Sequence, residues 1–201
     1  MQWMHSAERI SVIPDALFAE ISGLESPAKM GFVLSIPDKP TVQKSTPTVV
    51  LDRVQDAGNV GSILRSASAF GFKQVLAMKG TAALWSPKVL RAGMGAHFGL
   101  NLLEGLNLEQ LDDLEIPWVA TSVHQGPFLH HLLAQGDMPM PCAWLMGHEG
   151  QGVSSELEAR AALTVRIAQP GGEESLNVAA AAAICLHASA TIDAGKPVPR
   201  I

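Results

Sequence analysis

The chain has 201 residues, of which 47% are hydrophobic, and a net charge of −5. That length accommodates one full α/β core with roughly forty residues to spare, so one large domain with a small appendage is expected. The acidic balance excludes a bulk polycation that binds nucleic acid through charge alone. No run approaches the roughly 18 apolar residues that a membrane span needs, and residues 1–5 lack the charged start of a secretory signal. We therefore expect a cytoplasmic protein.

The front of the chain differs in kind from the rest. Residues 10–13 and 30–34 are short apolar runs typical of strands, and residues 14–21 have the pattern of a helix. A Pro-rich stretch typical of a linker follows. The sequence therefore predicts a separate front segment, 1–46, and a main domain, 47–201.

In the main domain, apolar runs alternate with segments of helical spacing. The predicted strands are 48–51, 74–78, 100–103, 117–121, 142–146 and 164–167. The predicted helices are 60–70, 87–94, 108–114, 156–162 and 175–190. Strands that alternate with helices through short links predict an α/β fold, with a mostly parallel sheet and helices on both faces.

The first of these strands runs into a polar loop that opens a helix. Asn59 lies in this loop, between two glycines. Ile63 and Ala67 recur at helical spacing in the helix, so Arg65 falls on a different face from them. The loop and Arg65 are therefore candidates for contact with a ligand.

Two later segments repeat the order of strand, polar glycine loop and helix. The loop after the strand 142–146 contains three glycines, and a Pro-Gly-Gly turn at 170–172 precedes the last helix. At the mouth of that helix, Ser175 is predicted to cap the free amides of the first turn. Asn177 is predicted to face outward, toward a ligand.

These three segments resemble the three signature motifs of the SpoU (TrmH-like) branch of the SPOUT RNA 2′-O-ribose methyltransferases. The matching residues are Asn59, Gly61 and Arg65, then Gly147, Glu149, Gly150 and Gly152, and finally Ser175, Leu176, Asn177 and Val178. The resemblance covers about residues 47–190. It implies a C-terminal trefoil knot, S-adenosylmethionine as the cofactor, and a homodimer whose site is built across two protomers. In one departure, residues 167–171 read Ile-Ala-Gln-Pro-Gly where the family usually has Ile-Pro-Met-x-Gly.

The resemblance also implies a set of cofactor contacts, made largely by backbone groups. These carry over to Gly147, Ile167 and Leu176, with Thr121 at the end of its strand as a further candidate. A glycine suits such a site because the missing Cβ lets the backbone approach the adenosine closely.

The catalytic roles that the resemblance implies fall on five residues. A guanidinium titrates above about pH 12, so Arg65 is predicted to clamp the phosphate beside the target ribose rather than to act as a general base. Asn59 is predicted to orient the ribose or Arg65, and Glu149 to fix the second loop. Ser175 and Asn177 are predicted to shape the third loop. Simple loop bracing is the alternative for Asn59, Glu149 and Asn177.

Basic residues cluster within 53–91, whereas acidic residues crowd 104–115. The cluster consists of Arg53, Arg65, Lys73, Lys79, Lys88 and Arg91. We predict that Arg53, Arg65, Lys88 and Arg91 bind RNA, with an ordinary solvated surface as the alternative.

No metal site is predicted. The seven histidines include no pair four residues apart, and no nearby pair of cysteines completes a tetrahedral site. Cys142 and Cys185 lie in apolar segments and are predicted to be buried free thiols.

The leading interpretation is an S-adenosylmethionine-dependent RNA 2′-O-ribose methyltransferase that acts on ribosomal RNA. The front segment resembles the tail end of the ribosomal-protein-like RNA-binding domain that many family members carry, which favours ribosomal over transfer RNA. Because the segment is too short to be that whole domain, we also hypothesise that the chain is a truncated form or a gene product with a misassigned start. A transfer RNA ribose methyltransferase and a catalytically silent RNA-binding protein of the same fold are the alternatives.

Overall fold

The computed structural model describes residues 8–22, 28–36, 40–171 and 175–192, and the chain forms two compact units, 1–38 and 39–201. Residues 1–5 and Gly172 of the predicted Pro-Gly-Gly turn lie outside the described residues.

The front unit contains the helix α1 (Asp15–Ser22), where the sequence predicts one. The two strands predicted at 10–13 and 30–34 are wrong, because neither segment pairs with another strand. Val12 and Val33 are exposed. A strand needs a paired neighbour and a surface that covers its apolar face, and an apolar run alone supplies neither. The RNA-binding character of this segment stays a prediction.

The second unit is built on a six-stranded sheet with the strand order β3-β2-β1-β5-β4-β6, in which every pair is parallel. The strands are β1 (Thr48–Leu51), β2 (Gln74–Met78), β3 (Asn101–Leu106), β4 (Trp118–Thr121), β5 (Ala143–Met146) and β6 (Leu163–Val165). All residues of β1 and β5 are buried, as expected for central strands covered on both faces. The predicted parallel sheet is confirmed, and the trefoil knot stays a prediction.

Helices cover both faces of the sheet, also as predicted. The helices are α2 (Ala57–Ala69), α3 (Pro87–Gly93), α4 (Leu129–Gln135), α5 (Ser155–Glu158) and α6 (Val178–Ile192), with 3-10 helices at Ala96–Gly99 and Glu109–Leu111. Residues of α2, α3, α4 and α6 share one buried cluster with Val49, Leu51 and Trp144. The 3-10 turn that contains Leu111, together with α5, packs on the opposite face.

Four elements differ from the sequence prediction, and one of them is the helix expected at 156–162, which is only the single turn α5. The helix expected at 108–114 is a single 3-10 turn, and α4 was not predicted. The helix α6 begins at Val178 rather than at Ser175. None of these differences changes the order of the strands in the sheet.

The order of strands and helices changes the face on which the chain continues between β1 and β5. β1 and β5 are neighbours, yet α2 follows β1 on one face and α5 follows β5 on the other. The two loops therefore diverge at the carboxyl ends of the strands, which is where open parallel sheets bind ligands.

Both cysteines are buried and free, as predicted. Burial raises the pKa of the Cys142 thiol to about 12, so this thiol is protonated at neutral pH. No helix in the ranges described above is long and apolar enough to cross a membrane.

Candidate active site

A buried carboxylate joins the two loops that diverge from β1 and β5. Asp52 is 2% exposed and accepts hydrogen bonds from Arg53 Nε at 2.8 Å and from the backbone amide of Ser154 at 2.7 Å. Burial opposes ionisation of Asp52, but these hydrogen bonds outweigh it and hold its pKa below the ordinary value. Arg53 also reaches across to Gln151 Oε1 at 2.9 Å. Sequence reasoning missed the bracing role of Asp52, although its place directly after a buried strand signals it.

The loop after β5 closes on itself. His148 and Gly152 exchange two backbone hydrogen bonds, of 3.0 and 2.8 Å. A Cβ on Gly147 would overlap the backbone of Gly152 and of Val153, so only glycine fits there. The imidazole Nδ1 of His148 accepts from the amide of Gly150 at 3.0 Å. The loop is thereby a compact turn that presents Glu149.

Glu149 reaches from this turn to the start of α2. Its carboxylate accepts from the backbone amides of Gln55 and Asp56, at 3.2 and 3.0 Å, and from Asn59 Nδ2 at 3.2 Å. Partial burial raises the pKa of Glu149, but the hydrogen bonds from these amides and from Asn59 outweigh it and lower the pKa overall. Glu149 is therefore an ionised acceptor at neutral pH.

The third loop joins the same network through Asn177. Its Nδ2 donates to Asn59 Oδ1 at 3.0 Å, and its Oδ1 accepts from the amides of Ala179 and Ala180 at 2.9 and 3.2 Å. The prediction that Ser175 caps the last helix is therefore wrong, since Asn177 is the capping residue. The reason is that α6 begins only at Val178, which leaves Ser175 two residues short of the capping position.

Three of the five predicted catalytic residues thus form one connected group, Glu149, Asn59 and Asn177, which we call the Asn59 network. Arg65 and Ser175 are exposed, and within the described parts of the chain neither side chain makes a hydrogen bond or an ion pair. Arg65 follows Asn59 by six residues on α2, about 9 Å along the axis and about 120° around it. Its guanidinium is free to take an anion.

The predicted cofactor residues lie at the same edge of the sheet. Thr121, Gly147 and Ile167 stand at or just beyond the carboxyl ends of the adjacent strands β4, β5 and β6. The hydroxyl of Thr121 donates to the carbonyl oxygen of Leu145 at 3.3 Å, and Leu176 is 36% exposed in the segment before α6. Thr121 therefore ties β4 to β5, while Leu176 has apolar surface to offer.

Residues of this edge fit an adenosine ligand. Ile167 borders an open apolar groove of about 500 Å³ between α4 and α6, a volume in the range of small-molecule sites. Two residues on, Gln169 Oε1 is buried and has no hydrogen-bond partner among the described residues. Buried polar groups without a partner are exceptions, and a donor group on a ligand would satisfy this one. The groove itself is lined by α6 beyond its first turn, to one side of the Asn59 network.

The predicted RNA-binding residues differ in their availability. Arg53 has a positive φ of 57° and all its guanidinium nitrogens engaged by Asp52 and Gln151, so it braces the site. Lys88 and Arg91 are exposed on α3. In the described ranges, no group of three His, Cys, Asp or Glu side chains is placed to hold a metal ion.

Comparison with known proteins connects this geometry to a family. The sequence model of the SpoU rRNA Methylase family matches residues 46–187, a span that contains β1 to β6 and the whole Asn59 network. The chain belongs to the SpoU rRNA methylase family. The resemblance in the three motif loops is thereby confirmed.

Two relatives similar to this chain come from bacteria. The 23S rRNA (guanosine(2553)-2′-O)-methyltransferase RlmP of Bacillus subtilis is 29% identical over 178 residues, which are 88% of this chain and 70% of RlmP. The 23S rRNA (guanosine-2′-O-)-methyltransferase RlmB of Bordetella pertussis is 34% identical over 70% of this chain and 58% of its own length. This chain therefore spans less than two thirds of RlmB.

A solved structure shows the same architecture with a ligand. The AdoMet-bound rRNA methyltransferase from Sinorhizobium meliloti matches 92% of this chain and 71% of its own with a TM-score of 0.73 and 26% identity. The α/β fold predicted from the sequence is thus the fold of a SpoU methyltransferase.

Proposed function

We propose that this protein is an S-adenosylmethionine-dependent RNA 2′-O-ribose methyltransferase that acts on ribosomal RNA. The observation that carries the proposal is the Asn59 network, which ties the three motif loops together where β1 and β5 send their loops to opposite faces. Catalytically silent proteins of the same fold need no such network. The names of the relatives RlmP and RlmB support ribosomal RNA as the substrate.

Positioning accounts for the chemistry that these residues support. Well-oriented bound reactants lower a barrier by on the order of 7–11 kcal/mol. Arg65 clamps the phosphate next to the target ribose through its planar fork of donors. Asn59, oriented by Glu149, fixes the start of α2 and hence the direction from which Arg65 approaches. The 2′-hydroxyl proton leaves to a substrate phosphate or to water, since no guanidinium accepts it at neutral pH.

The cofactor residues proposed are Thr121, Gly147, Ile167 and Leu176. When bound, S-adenosylmethionine supplies a methyl group on its sulfonium. Gly147 holds the loop after β5 in its tight turn, and Ile167 and Leu176 offer apolar surface to a flat ring. The unpaired Gln169 Oε1 adds an acceptor for an amino group.

The enzyme works as a homodimer in this proposal. Within one chain, Arg65 makes no bond to the Asn59 network and lies about 9 Å beyond it along α2. A site assembled from two copies lets Arg65 of one protomer serve the cofactor loops of its partner.

Residues 1–46 are proposed as an RNA-binding segment in front of the methyltransferase domain. The cytoplasm is proposed as the compartment.

Methyl transfer to separate RNA pools tests the proposal. Purified protein is incubated with labelled S-adenosylmethionine and with ribosomal or transfer RNA from cells that lack the gene. We expect label in ribosomal RNA that survives alkali at a single dinucleotide, because a 2′-O-methyl group blocks cleavage there. Label in transfer RNA alone would favour the other substrate class, and cofactor binding without label in either pool would favour a silent RNA-binding protein.

A further inference from the structure

An exposed apolar cluster lies beyond the residues that the proposed chemistry uses. The side chains of Leu90, Met94 and Phe98 are 38%, 73% and 72% exposed. We call these three side chains the Phe98 platform. Single exposed apolar side chains are ordinary, but three within nine residues form a patch that gains by being covered.

Two close contacts place the platform beside Arg65. Gly61 of α2 packs so tightly on Ala92 that a Cβ on Gly61 would overlap the Ala92 side chain. Further along both segments, a Cβ on Gly99 would lie 3.8 Å from Ser68 Oγ. Gly61, Arg65 and Ser68 fall within about 60° of one another around α2. Along α2, Arg65 therefore lies between Gly61 and Ser68. Along the facing segment, Met94 and Phe98 of the platform lie between Ala92 and Gly99.

The segment that carries the platform is anchored to the core by a buried histidine. His97 is 2% exposed, and its Nε2 lies 2.9 Å from the carbonyl oxygen of Leu84. The His97 ring fills the space beside Gly93, where a Cβ would lie 2.9 Å from Nδ1. Met94 has a φ of 47°, in the left-handed region that non-glycine residues seldom adopt. The buried His97 anchors the chain between Met94 and Phe98 on the core, so the backbone of the platform is held in place.

The stretch of chain around the platform carries mainly positive charge, and the carboxylate of Glu104, which directly follows this stretch, is engaged by the backbone amide of Leu84 at 2.7 Å. Residues 57–103 contain five Lys and Arg and no Asp or Glu, in a chain whose net charge is −5. Arg65, Lys88 and Arg91 make no ion pair within the described ranges. Charged residues are depleted at the cores of protein interfaces, although Phe, Met and Arg are enriched there. An exposed aromatic ring among unpaired cations is instead the combination by which proteins hold single-stranded nucleic acid.

We propose that the Phe98 platform stacks an unpaired RNA base next to the nucleotide whose phosphate Arg65 holds. The proposal rests on the proposed function, because it takes RNA as the substrate and adds a site for a flanking nucleotide. The ring of Phe98 lies against the face of the base, and Met94 and Leu90 cover its edge. Lys88 and Arg91 neutralise the adjoining phosphates.

The test uses a single-stranded RNA oligonucleotide that carries 2-aminopurine, whose emission falls when it stacks. The full chain is compared with Phe98→Leu, which keeps an apolar side chain without a ring, and with Phe98→Tyr, which keeps the ring. Because Phe98 is exposed, neither change disturbs the core. We expect quenching by the wild type and by Phe98→Tyr, and its loss in Phe98→Leu with a Kd raised about tenfold.

Other outcomes would overturn the proposal. Equal quenching and equal Kd for Phe98→Leu and the wild type would show that no base stacks on the ring. A change of native mass in Phe98→Leu with unchanged RNA affinity would show that the platform is a protein contact. The same samples are assayed for methyl transfer to ribosomal RNA. Quenching that depends on the ring, without methyl transfer, would support base stacking on the platform and contradict the proposed function. Methyl transfer with quenching that does not depend on the ring would support the proposed function and contradict base stacking.

Discussion

At the scale of single residues, the two ends of the Asn59 network set the direction of its hydrogen bonds. A carboxylate only accepts, so Asn59 presents its amide nitrogen to Glu149 and its oxygen to Asn177. The backbone amides of Ala179 and Ala180 only donate, so Asn177 presents its oxygen to α6 and its nitrogen to Asn59. Both side-chain amides are therefore fixed in one orientation, and a change at either end reaches the other.

The two functions of Asn177 are separable by substitution. Asn177→Asp keeps an acceptor for the amides of α6 but places a carboxylate oxygen against Asn59 Oδ1. We expect a free energy of unfolding within about 1 kcal/mol of the wild type, because the cap is kept, and a rate of methyl transfer reduced about tenfold. Denaturant titration and a transfer assay on the same sample measure both. An unchanged rate would show that methyl transfer does not depend on the bond between Asn177 and Asn59.

The buried carboxylate of Asp52 gives the protein an acid-sensitive brace. Its pKa is lower in the folded chain than in the unfolded one, so its contribution to stability is present above its ordinary pKa of about 3.9 and lost as pH falls. Asp52→Asn is expected to lower the free energy of unfolding by about 2 kcal/mol at pH 7. It is also expected to flatten the fall in stability between about pH 5 and pH 2.

Urea unfolding across that pH range measures both effects. Asp112→Asn is the matched control, since Asp112 forms an exposed ion pair with Arg160 that is expected to contribute less than about 1 kcal/mol. If Asp52→Asn showed the same pH dependence as the wild type, the acid sensitivity would come from other carboxylates.

At the scale of elements, the packing of α2 against α3 decides where the basic side chains stand. A Cβ on Gly61 would overlap Ala92 and would lie 2.8 Å from the backbone nitrogen of Gly93. The neighbour is backbone rather than a flexible side chain, so relief requires the helices to separate. The position of Arg65 relative to Arg91 therefore depends on the missing side chain at residue 61.

Gly61→Ala is expected to lower the free energy of unfolding by about 1–3 kcal/mol through overpacking, although alanine favours a helix over glycine. Gly99→Ala is the control, because its Cβ would meet only Ser68 Oγ at an ordinary 3.8 Å. Thermal or denaturant unfolding of the two variants gives the comparison. A Gly61→Ala protein as stable as Gly99→Ala would mean that α2 and α3 separate without cost.

Most of the sheet was predictable, because strands buried on both faces are continuous apolar runs. The helix α4 was missed, although Leu129, Leu132 and Leu133 have helical spacing and Gly136 follows with a φ of 76°. Its two adjacent histidines broke the apolar pattern. The front strands failed for the opposite reason, since an apolar run does not reveal whether a partner strand exists.

The sequence predicted which residues belong to the site, but not which hydrogen bonds join them. The motif residues Asn59, Glu149 and Asn177 were chosen by resemblance, and the structure joins them. Ser175 was predicted to cap the last helix, because serine is a good capping residue. The prediction failed because the sequence leaves the first residue of a helix uncertain by one or two positions. Arg53 was assigned to RNA, whereas its chain neighbour Asp52 and the distant Gln151 occupy its guanidinium. Sequence spacing carries no information on a pair as distant as Arg53 and Gln151.

At the scale of the whole molecule, charge is segregated along the chain. Residues 57–103 carry no acid, whereas the chain as a whole has a net charge of −5. RNA affinity should therefore depend on a few cations rather than on the overall field. For single-stranded RNA the logarithm of the binding constant falls with that of the salt concentration by about 0.7 for each phosphate neutralised.

With Arg65, Lys88 and Arg91 as the phosphate contacts, we expect the logarithm of the binding constant to fall with that of the salt concentration with a slope of about −2 for the wild type. In Arg91→Ala, the magnitude of this slope is expected to be smaller by about 0.7. Filter binding of single-stranded RNA over a range of KCl concentrations gives the slope. Lys44→Ala is the control, because Lys44 is paired with Glu115 at 2.8 Å and should leave the slope unchanged. Equal slopes for Arg91→Ala and the wild type would remove α3 from the RNA-binding surface.

The most direct test of the account is single-turnover methyl transfer to ribosomal RNA by the wild type, Arg65→Lys and Arg65→Ala, with S-adenosylmethionine affinity measured in parallel. We expect Arg65→Ala to bind the cofactor normally and to transfer methyl about 100-fold more slowly. Arg65→Lys is expected to fall in between, since it keeps the charge and loses the planar fork. An Arg65→Ala enzyme with an unchanged rate would contradict the central claim that this arginine positions the ribose for methylation.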